Sequence, residues 1–264
     1  MFGVELLKSL HRPRTYVLGA CLAAVAVLPA VLQATASGGA GGPPFFDLVR
    51  HNGLFAGLAA MALIQPFFLP LGTGLLSGEA VAGEASAGTL RYLLVRPVGR
   101  VRLVVTKYLA VMTELGASVL WVTLVGLTAG LIAFGFGPLP TLSGSTLSVG
   151  AALMRTVGAM AYILIGVAGL AAIGVFLSTL TDSGIGAAVA TVSVAIASQI
   201  LGGISAVRAI HPYLISDQWL AYADLFRTPV VWDGIARGLL LAAVYTALFL
   251  AAALIVFTRK DVTS

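Results

Sequence analysis

The sequence predicts an all-α integral membrane protein with six transmembrane helices, an N-terminal amphipathic interfacial helix and a cytoplasmic helix between spans two and three. Apolar residues make up 59% of the 264-residue chain and charged residues only 9%, against about 25% charged in a typical soluble domain. The apolar residues form runs that can cross a bilayer core, which takes about 20 helical residues. Basic residues lie at the ends of these runs. We therefore expect one transmembrane domain over residues 1–264.

The chain starts with residues 1–14, in which apolar residues recur at helical spacing and polar residues fall elsewhere. This pattern favours a helix that lies in the membrane interface. The first span follows at residues 16–36. The basic residues before it and Ala34-Thr35-Ala36 near its end also resemble a signal peptide. Because the apolar run is longer than an ordinary signal core, we expect the span to be retained.

The second span, residues 54–76, is interrupted by Gln65-Pro66 and by Pro70. Prolines bend a helix and leave backbone carbonyls without donors, and in lipid such carbonyls must be satisfied by neighbouring helices or by a water-lined cavity. The sequence leaves two interpretations open. The break is either a kink for packing or a hinge that lines a transport pathway, in which case Gln65 is a candidate pathway residue.

The third span, residues 105–134, contains Glu114, the one acidic side chain deep in a predicted span. A carboxyl group at membrane depth is costly and usually faces protein or water. Glu114 is either part of an ion pair, with Lys107 two turns back on roughly the same face, or a contact for a cationic substrate. It is the second candidate pathway residue.

The remaining spans are predicted at residues 155–177, 185–207 and 235–257. The first two of these are dense in Gly, Ala and Ser, which favours close helix packing, and we expect Gln199 to make a helix-to-helix hydrogen bond. Residues 208–233 mix charged, proline and aromatic residues. Such a segment is typical of the membrane interface, so we assign it to the outer surface.

The distribution of basic residues predicts the orientation. Six spans place both termini on one side, together with residues 77–107. That side holds ten of the fifteen Lys and Arg residues: Lys8, Arg12, Arg14, Arg91, Arg96, Arg100, Arg102, Lys107, Arg259 and Lys260. The opposite side holds the other five: Arg50, Arg155, Arg208, Arg227 and Arg237. By the positive-inside rule, we expect a multi-pass protein of the cytoplasmic membrane with both termini cytoplasmic.

The long polar interruption of the chain, residues 77–107, contains a short amphipathic pattern at residues 84–96. Thr89 suits a helix N-cap, three leucines follow at helical spacing, and Pro97 ends the pattern. From the pattern alone, this helix either rests on lipid headgroups or docks in a groove of a partner protein.

The same stretch carries a family resemblance. The residues Gly83-Glu84, Gly88-Thr89-Leu90, Leu93-Leu94, Arg96-Pro97-Val98, Arg100 and Lys107 resemble the loop between spans two and three of ABC-2 type (type V exporter-like) ABC transporter permeases. The resemblance extends over the whole chain in length, six-span layout and basic tail. The chain departs from the family at Gly99, where many members have Ser or Thr. It also departs at Asp182, where basic or neutral residues are usual.

The resemblance implies the permease subunit of an ATP-driven exporter, with a central coupling helix that docks on a separate ATPase. It implies these contact residues: Glu84, Thr89, Leu90, Arg91, Tyr92, Leu93, Leu94 and Arg96. The implied partners are the ATPase, in two copies that bind ATP and Mg, and a second permease subunit, identical or related. A drug-like or lipid-like cargo is expected. The alternative is an assembly factor that transmits ATPase motion without exporting a solute.

Other classes of function have little support in the sequence. No lysine completes a Gly-Lys-Ser/Thr phosphate loop, so we expect no nucleotide or other cofactor on this chain. The three histidines lack zinc-motif spacing and there is no Gly-x-Ser-x-Gly turn, which argues against a metal site and an intramembrane enzyme. The basic residues do not form one soluble face, so we expect no nucleic-acid partner. With Cys21 as the one cysteine, no intrachain disulfide can form.

Overall fold

The computed structural model describes residues 13–35, 44–86 and 99–259, together with positions 3 and 88. These residues are overwhelmingly helical, and apart from one isolated bridge between Pro140 and Thr146 the described ranges contain no β-structure. The prediction of an all-α membrane protein is confirmed at this level. The N-terminal interfacial helix predicted at 1–14 lies almost wholly outside the described residues.

The described ranges hold seven α-helices and three short 3-10 helices. The α-helices are α1 (Pro13–Thr35), α2 (Phe55–Ile64), α3 (Phe68–Ser86), α4 (Arg100–Phe134), α5 (Val149–Leu180), α6 (Gly184–Gly202) and α7 (Trp232–Arg259). The 3-10 helices are Asp47–Arg50, Ser205–Tyr213 and Trp219–Phe226. Local chemistry fixes several ends. The hydroxyls of Ser148 and Ser183 accept from backbone N–H groups in the first turns of α5 and α6.

Five of these helices, α1 and α4 to α7, are long and apolar enough to cross a membrane, and α2 with α3 makes a sixth candidate if the bent pair counts as one span. The axes of α2 and α3 meet at 60°. Taken together, α2 and α3 nevertheless lie antiparallel to α4 along most of its length. Gly53, just before α2, lies against Gly130 near the end of α4, and Glu84 near the end of α3 contacts Lys107 near the start of α4.

Two helices end far from their predicted positions. The second span was expected to end at residue 76, but α3 continues to Ser86, so Glu84 belongs to this helix and not to a separate coupling helix. The small polar residues after position 76 stay helical because they are buried against α5 and α6. The fifth span was expected to reach residue 207, but α6 ends at Gly202, where a second glycine follows and helix propensity is low.

The helices pack in two groups. The first helix group contains α1, α2 and α4, and the second contains α3, α5, α6 and α7 with the 3-10 helix Trp219–Phe226. Within the first group, a Cβ added at Gly130 would collide with the backbone of Gly53. Within the second, a Cβ added at Gly78 would collide with the backbone of Ala188. Glycine therefore lets backbones touch inside each group.

The two ends of the bundle differ. At the loop end, α3 stops at Ser86 and α4 starts at Arg100. At the cap end, the 3-10 helices and residues 135–148 cover the bundle. Hydrogen bonds hold this cover together, including Asn52 Nδ2 to Gly137 O at 2.7 Å and Arg155 Nη1 to Arg227 O at 3.1 Å. The segment predicted at 208–233 lies in this cap, and it also inserts Trp219, Tyr222 and Phe226 into the core.

Candidate functional site

The predicted coupling segment lies mostly outside the described residues. Its candidates beyond Glu84 are in that unassigned stretch: Thr89, Leu90, Arg91, Tyr92, Leu93, Leu94 and Arg96. Their contact with an ATPase stays a prediction. The structure does describe both flanks of the segment, the last turn of α3 and the first turns of α4, and these flanks show how the segment is attached to the bundle.

A buried ion pair joins the two flanks. Lys107 Nζ donates to Glu84 Oε1 at 3.1 Å, and the side chains are only 6% and 10% exposed. Glu84 belongs to the second helix group and Lys107 to the first. Taking one charge away from a buried pair leaves the other uncompensated, at a cost of about 3–5 kcal/mol. The pair therefore fastens the two groups together at the loop end.

Sequence reasoning considered Glu114, not Glu84, as the partner of Lys107. Glu84 was missed because the prediction ended the second span at residue 76 and placed Glu84 outside the bundle. Glu114 is half-buried two turns further along α4, and its backbone carbonyl accepts from Ser118 Oγ at 2.9 Å. A contact between Glu114 and a cargo molecule stays a prediction.

The last turns of α3 are also fixed by Ser178, near the end of α5. Its hydroxyl donates to Gly78 O at 2.7 Å and lies 3.0 Å from Val81 N and 2.8 Å from Ala82 N. One buried side chain of α5 thus bonds to three backbone groups of α3. The end of α3 is held by α5 on one side and by the ion pair on the other. Sequence reasoning gave no role to Ser178.

At the loop end, Arg100 ties the start of α4 to the end of α7. Its Nη1 atom donates to Thr258 O at 2.8 Å and to Phe257 O at 3.4 Å. These carbonyls belong to the last turn of α7, where backbone acceptors have no intrahelical donors and a cation is favourable. Arg100 is thus a second fastening between the two helix groups beside the coupling segment.

The other predicted site residue, Gln65, lies at the break between α2 and α3. It is completely buried, and its Nε2 atom donates to Trp219 O at 2.7 Å. The amide orientation follows from this contact, because the main-chain oxygen of Trp219 can only accept. Gln65 Oε1 and Trp219 Nε1 have no hydrogen-bond partner among the described residues. As a pathway residue, Gln65 stays a prediction.

The carbonyl freed by the break is satisfied by a neighbouring helix. Gln199 Nε2, on α6, donates to Pro66 O at 2.6 Å. In an uninterrupted helix this carbonyl would accept from residue 70, but Pro70 has no N–H. The structure therefore shows the helix-to-helix hydrogen bond expected of Gln199. The carbonyl thus has a protein side chain as a hydrogen-bond partner.

The described residues also bear on catalytic chemistry. Within the described ranges, no group of three His, Cys, Asp or Glu side chains is placed to hold a metal ion. The polar groups gathered at the break are amides and an indole, which donate and accept hydrogen bonds but do not transfer protons near neutral pH. What this arrangement does is hold neighbouring helices together at the break.

Comparison with known proteins gives a family for the chain. The family described as "Protein of unknown function (DUF2705)" matches residues 25–263. The chain belongs to the DUF2705 family. The match starts within α1 and includes every later helix, so the fold described above is that of a DUF2705 protein. A search of curated proteins gave no significant match. The family description states no activity, so the function of this DUF2705 protein has to be argued from its residues.

Proposed function

We propose that this DUF2705 protein is the permease subunit of an ATP-driven exporter in the cytoplasmic membrane. In this proposal α2 and α3 form one broken span among six, both termini are cytoplasmic, and the segment 87–98 docks on a separate ATPase. Two ATPase copies bind ATP and Mg and hydrolyse the nucleotide, and a second permease subunit, identical or related, completes the transporter. The cargo is drug-like or lipid-like.

One observation carries the proposal: the ion pair between Glu84 and Lys107. These two residues stand on either side of the segment whose sequence resembles the ABC-2 coupling loop, and the pair is buried. A segment that only rested on lipid would need no such anchorage. A segment that transmits force needs its two ends attached to packed helices, because rigid-body motion passes through well-packed elements.

The chemistry of the segment suits the same role. Leu90, Leu93 and Leu94 supply apolar anchors at helical spacing, and Arg91 and Arg96 supply charges beside them. An amphipathic helix of this kind fits an apolar groove with a charged rim. The helices that continue from the segment, α3 and α4, belong to different groups, so a push on it would reach both groups.

The test is co-purification with an ATPase encoded by a neighbouring reading frame. Affinity-tagged wild-type protein should retain this ATPase in detergent, and Leu93→Asp should lose it. The matched control is Val231→Asp, which places the same carboxylate at an exposed position of the cap end. Equal retention by Leu93→Asp and the wild type would contradict docking through the leucines.

Orientation is tested separately by labelling. Arg91→Cys in a Cys21→Ser background should react with a membrane-impermeant maleimide only after the cells are opened. Labelling in intact cells would place the segment outside and overturn the proposal. A flux assay with the reconstituted complex then separates export from the alternative role in assembly.

A further inference from the structure

The bend at Gln65–Phe67 coincides with the boundary between the two helix groups. Before the bend, α2 packs on α1 and α4; after it, α3 packs on α5 and α6. A single candidate span is thus shared between two packing units. The bend also lacks two helical hydrogen bonds, because Pro66 and Pro70 have no N–H to donate.

The closest glycine contacts lie inside the two groups, although one apolar core runs across both groups. Inside the groups, glycines bring backbones into direct contact, as at Gly53 with Gly130 and at Gly78 with Ala188. Between the groups, the glycine of α4 that faces α5, Gly116, would meet only the tip of the Leu164 side chain, 3.4 Å away. A flexible side chain can yield where a backbone cannot, so this glycine contact is more deformable than the two backbone contacts inside the groups.

A small apolar cavity lies on the same boundary near the cap end. Leu58 and Leu127 of the first group form one wall, and Ala152 and Phe226 of the second group form another. Voids remove packing contacts from the atoms that line them. The atoms that line this cavity thus lack part of the contacts that a filled interface would give them.

Several of the contacts that do cross the boundary are hydrogen bonds of single side chains. At the bend, Gln65 bonds to the main chain of Trp219, and at the loop end Lys107 bonds to Glu84. At the bend, Gln65 Oε1 and Trp219 Nε1 also have no hydrogen-bond partner within the part of the chain that the structure describes. A shift of one group against the other can give these two atoms partners that they lack here.

We propose that the two helix groups rotate against each other about Gln65–Phe67, and that the Glu84–Lys107 pair limits this rotation at the loop end. The hinge is a property of the chain alone. It deepens the exporter proposal by stating where a docked ATPase would act, since segment 87–98 joins one group to the other. Because the hinge is inferred from contacts within this chain, it can be tested without any ATPase.

The experiment measures distances between spin labels by pulsed EPR on the full chain in lipid nanodiscs, in a Cys21→Ser background diluted with unlabelled protein. Four exposed positions serve: Leu32 and Leu109 in the first group, Ile185 and Leu240 in the second. The pairs 32/109 and 185/240 lie within a group, and the pairs 109/240 and 32/185 cross the boundary. Each position thus occurs in one pair of each kind, which controls for label mobility.

We expect the distance distributions of the cross-boundary pairs to be at least about twice as broad as those of the within-group pairs. Equal widths for all four pairs overturn the proposal. This comparison needs neither the proline nor the Glu84 variants described next, so it remains decisive if one of those fails to fold. If all four distributions are equally broad but the protein retains the ATPase in the co-purification test, the hinge is rejected and the exporter proposal stands.

Two variants locate the hinge. Pro66→Ala with Pro70→Ala restores two N–H donors, so it should narrow the cross-boundary distributions and leave the within-group ones unchanged. Glu84→Gln removes the limiting charge pair and should broaden the cross-boundary distributions. Unchanged cross-boundary distributions in the double proline variant would overturn Gln65–Phe67 as the hinge, and unchanged distributions in Glu84→Gln would overturn the limiting role of the pair.

Discussion

Gln199 Nε2 donates to Pro66 O at 2.6 Å, so a side chain of α6 supplies the hydrogen bond that Pro70 cannot. The bond joins a residue of α6 to the break between the two helix groups. Its partner is a carbonyl that has lost its intrahelical donor, and leaving such a group unsatisfied costs about 1–3 kcal/mol.

This relationship predicts a rescue. Gln199→Leu should lower the free energy of unfolding by about 1–3 kcal/mol. Pro70→Ala adds an N–H four residues after Pro66, so the loss should be smaller when Gln199→Leu is made in the Pro70→Ala background. The measurement is a double-mutant cycle by SDS titration in mixed micelles. The same loss in both backgrounds would show that Gln199 does not act through this carbonyl.

The ion pair predicts a strong asymmetry between single and double changes. Glu84→Ala or Lys107→Ala should destabilise the protein by about 3–5 kcal/mol, because each removes one charge from a buried ion pair. Glu84→Met with Lys107→Met should cost less than either single change. The measured quantity is the midpoint and slope of the same unfolding titration.

The chain supplies its own control for that result. Arg227 and Asp224 also form an ion pair, at 2.7 Å, but Arg227 is 47% exposed. Exposed pairs contribute about 0–1 kcal/mol. Asp224→Ala should therefore change stability far less than Glu84→Ala, and equal effects would contradict the assignment of the Glu84 pair as buried.

The hydroxyl of Ser178 predicts a local effect on α3. Ser178→Ala removes the group that bonds to Gly78 O and lies beside the amides of Val81 and Ala82. We expect the free energy of unfolding to fall by about 1–3 kcal/mol and amide hydrogen exchange in the last turns of α3 to become faster. Ser193→Ala is the control, since Ser193 is exposed and its hydroxyl donates to Val189 O of its own helix. Unchanged exchange in Ser178→Ala would show that α3 is held elsewhere.

Gly→Ala substitutions at a crowded and at an open position distinguish the effect of close backbone packing from the effect of helix propensity. Gly130→Ala places a methyl group against the backbone of Gly53 and should destabilise the protein by about 1–3 kcal/mol. Gly72→Ala, where a Cβ would meet nothing within 4 Å, should be neutral or stabilising by up to about 1 kcal/mol. Thermal unfolding of the two variants, compared with the wild type, checks the difference. A harmless Gly130→Ala would contradict the backbone contact between Gly53 and α4.

Much of the architecture could be predicted from periodicity and composition. The all-α class, the break at Gln65-Pro66 and the hydrogen bond of Gln199 follow from local rules about apolar length, proline and polar groups in lipid. The end of α3 could not be predicted in this way. Residues 77–86 are as polar as a loop, and they remain helical because α5 and α6 bury them.

The contacts of the site were harder to predict than its residues. Gln65 could be singled out because an amide beside a proline in an apolar run is unusual, but nothing local indicates Trp219 as its partner, 154 positions away. The partner of Lys107 depends on where α3 ends. The division into two helix groups depends on which of many glycines face each other, and glycines occur throughout this sequence.

Trp219 accepts the hydrogen bond of Gln65 through its main-chain oxygen, which every amino acid possesses. The identity of the side chain at position 219 is therefore irrelevant to this bond, whereas position 65 must keep a long amide to reach it. This hydrogen bond therefore requires relatives to keep a long amide at position 65, whereas position 219 is constrained by the packing of its buried side chain instead, and the two constraints can be read directly once their sequences are set side by side.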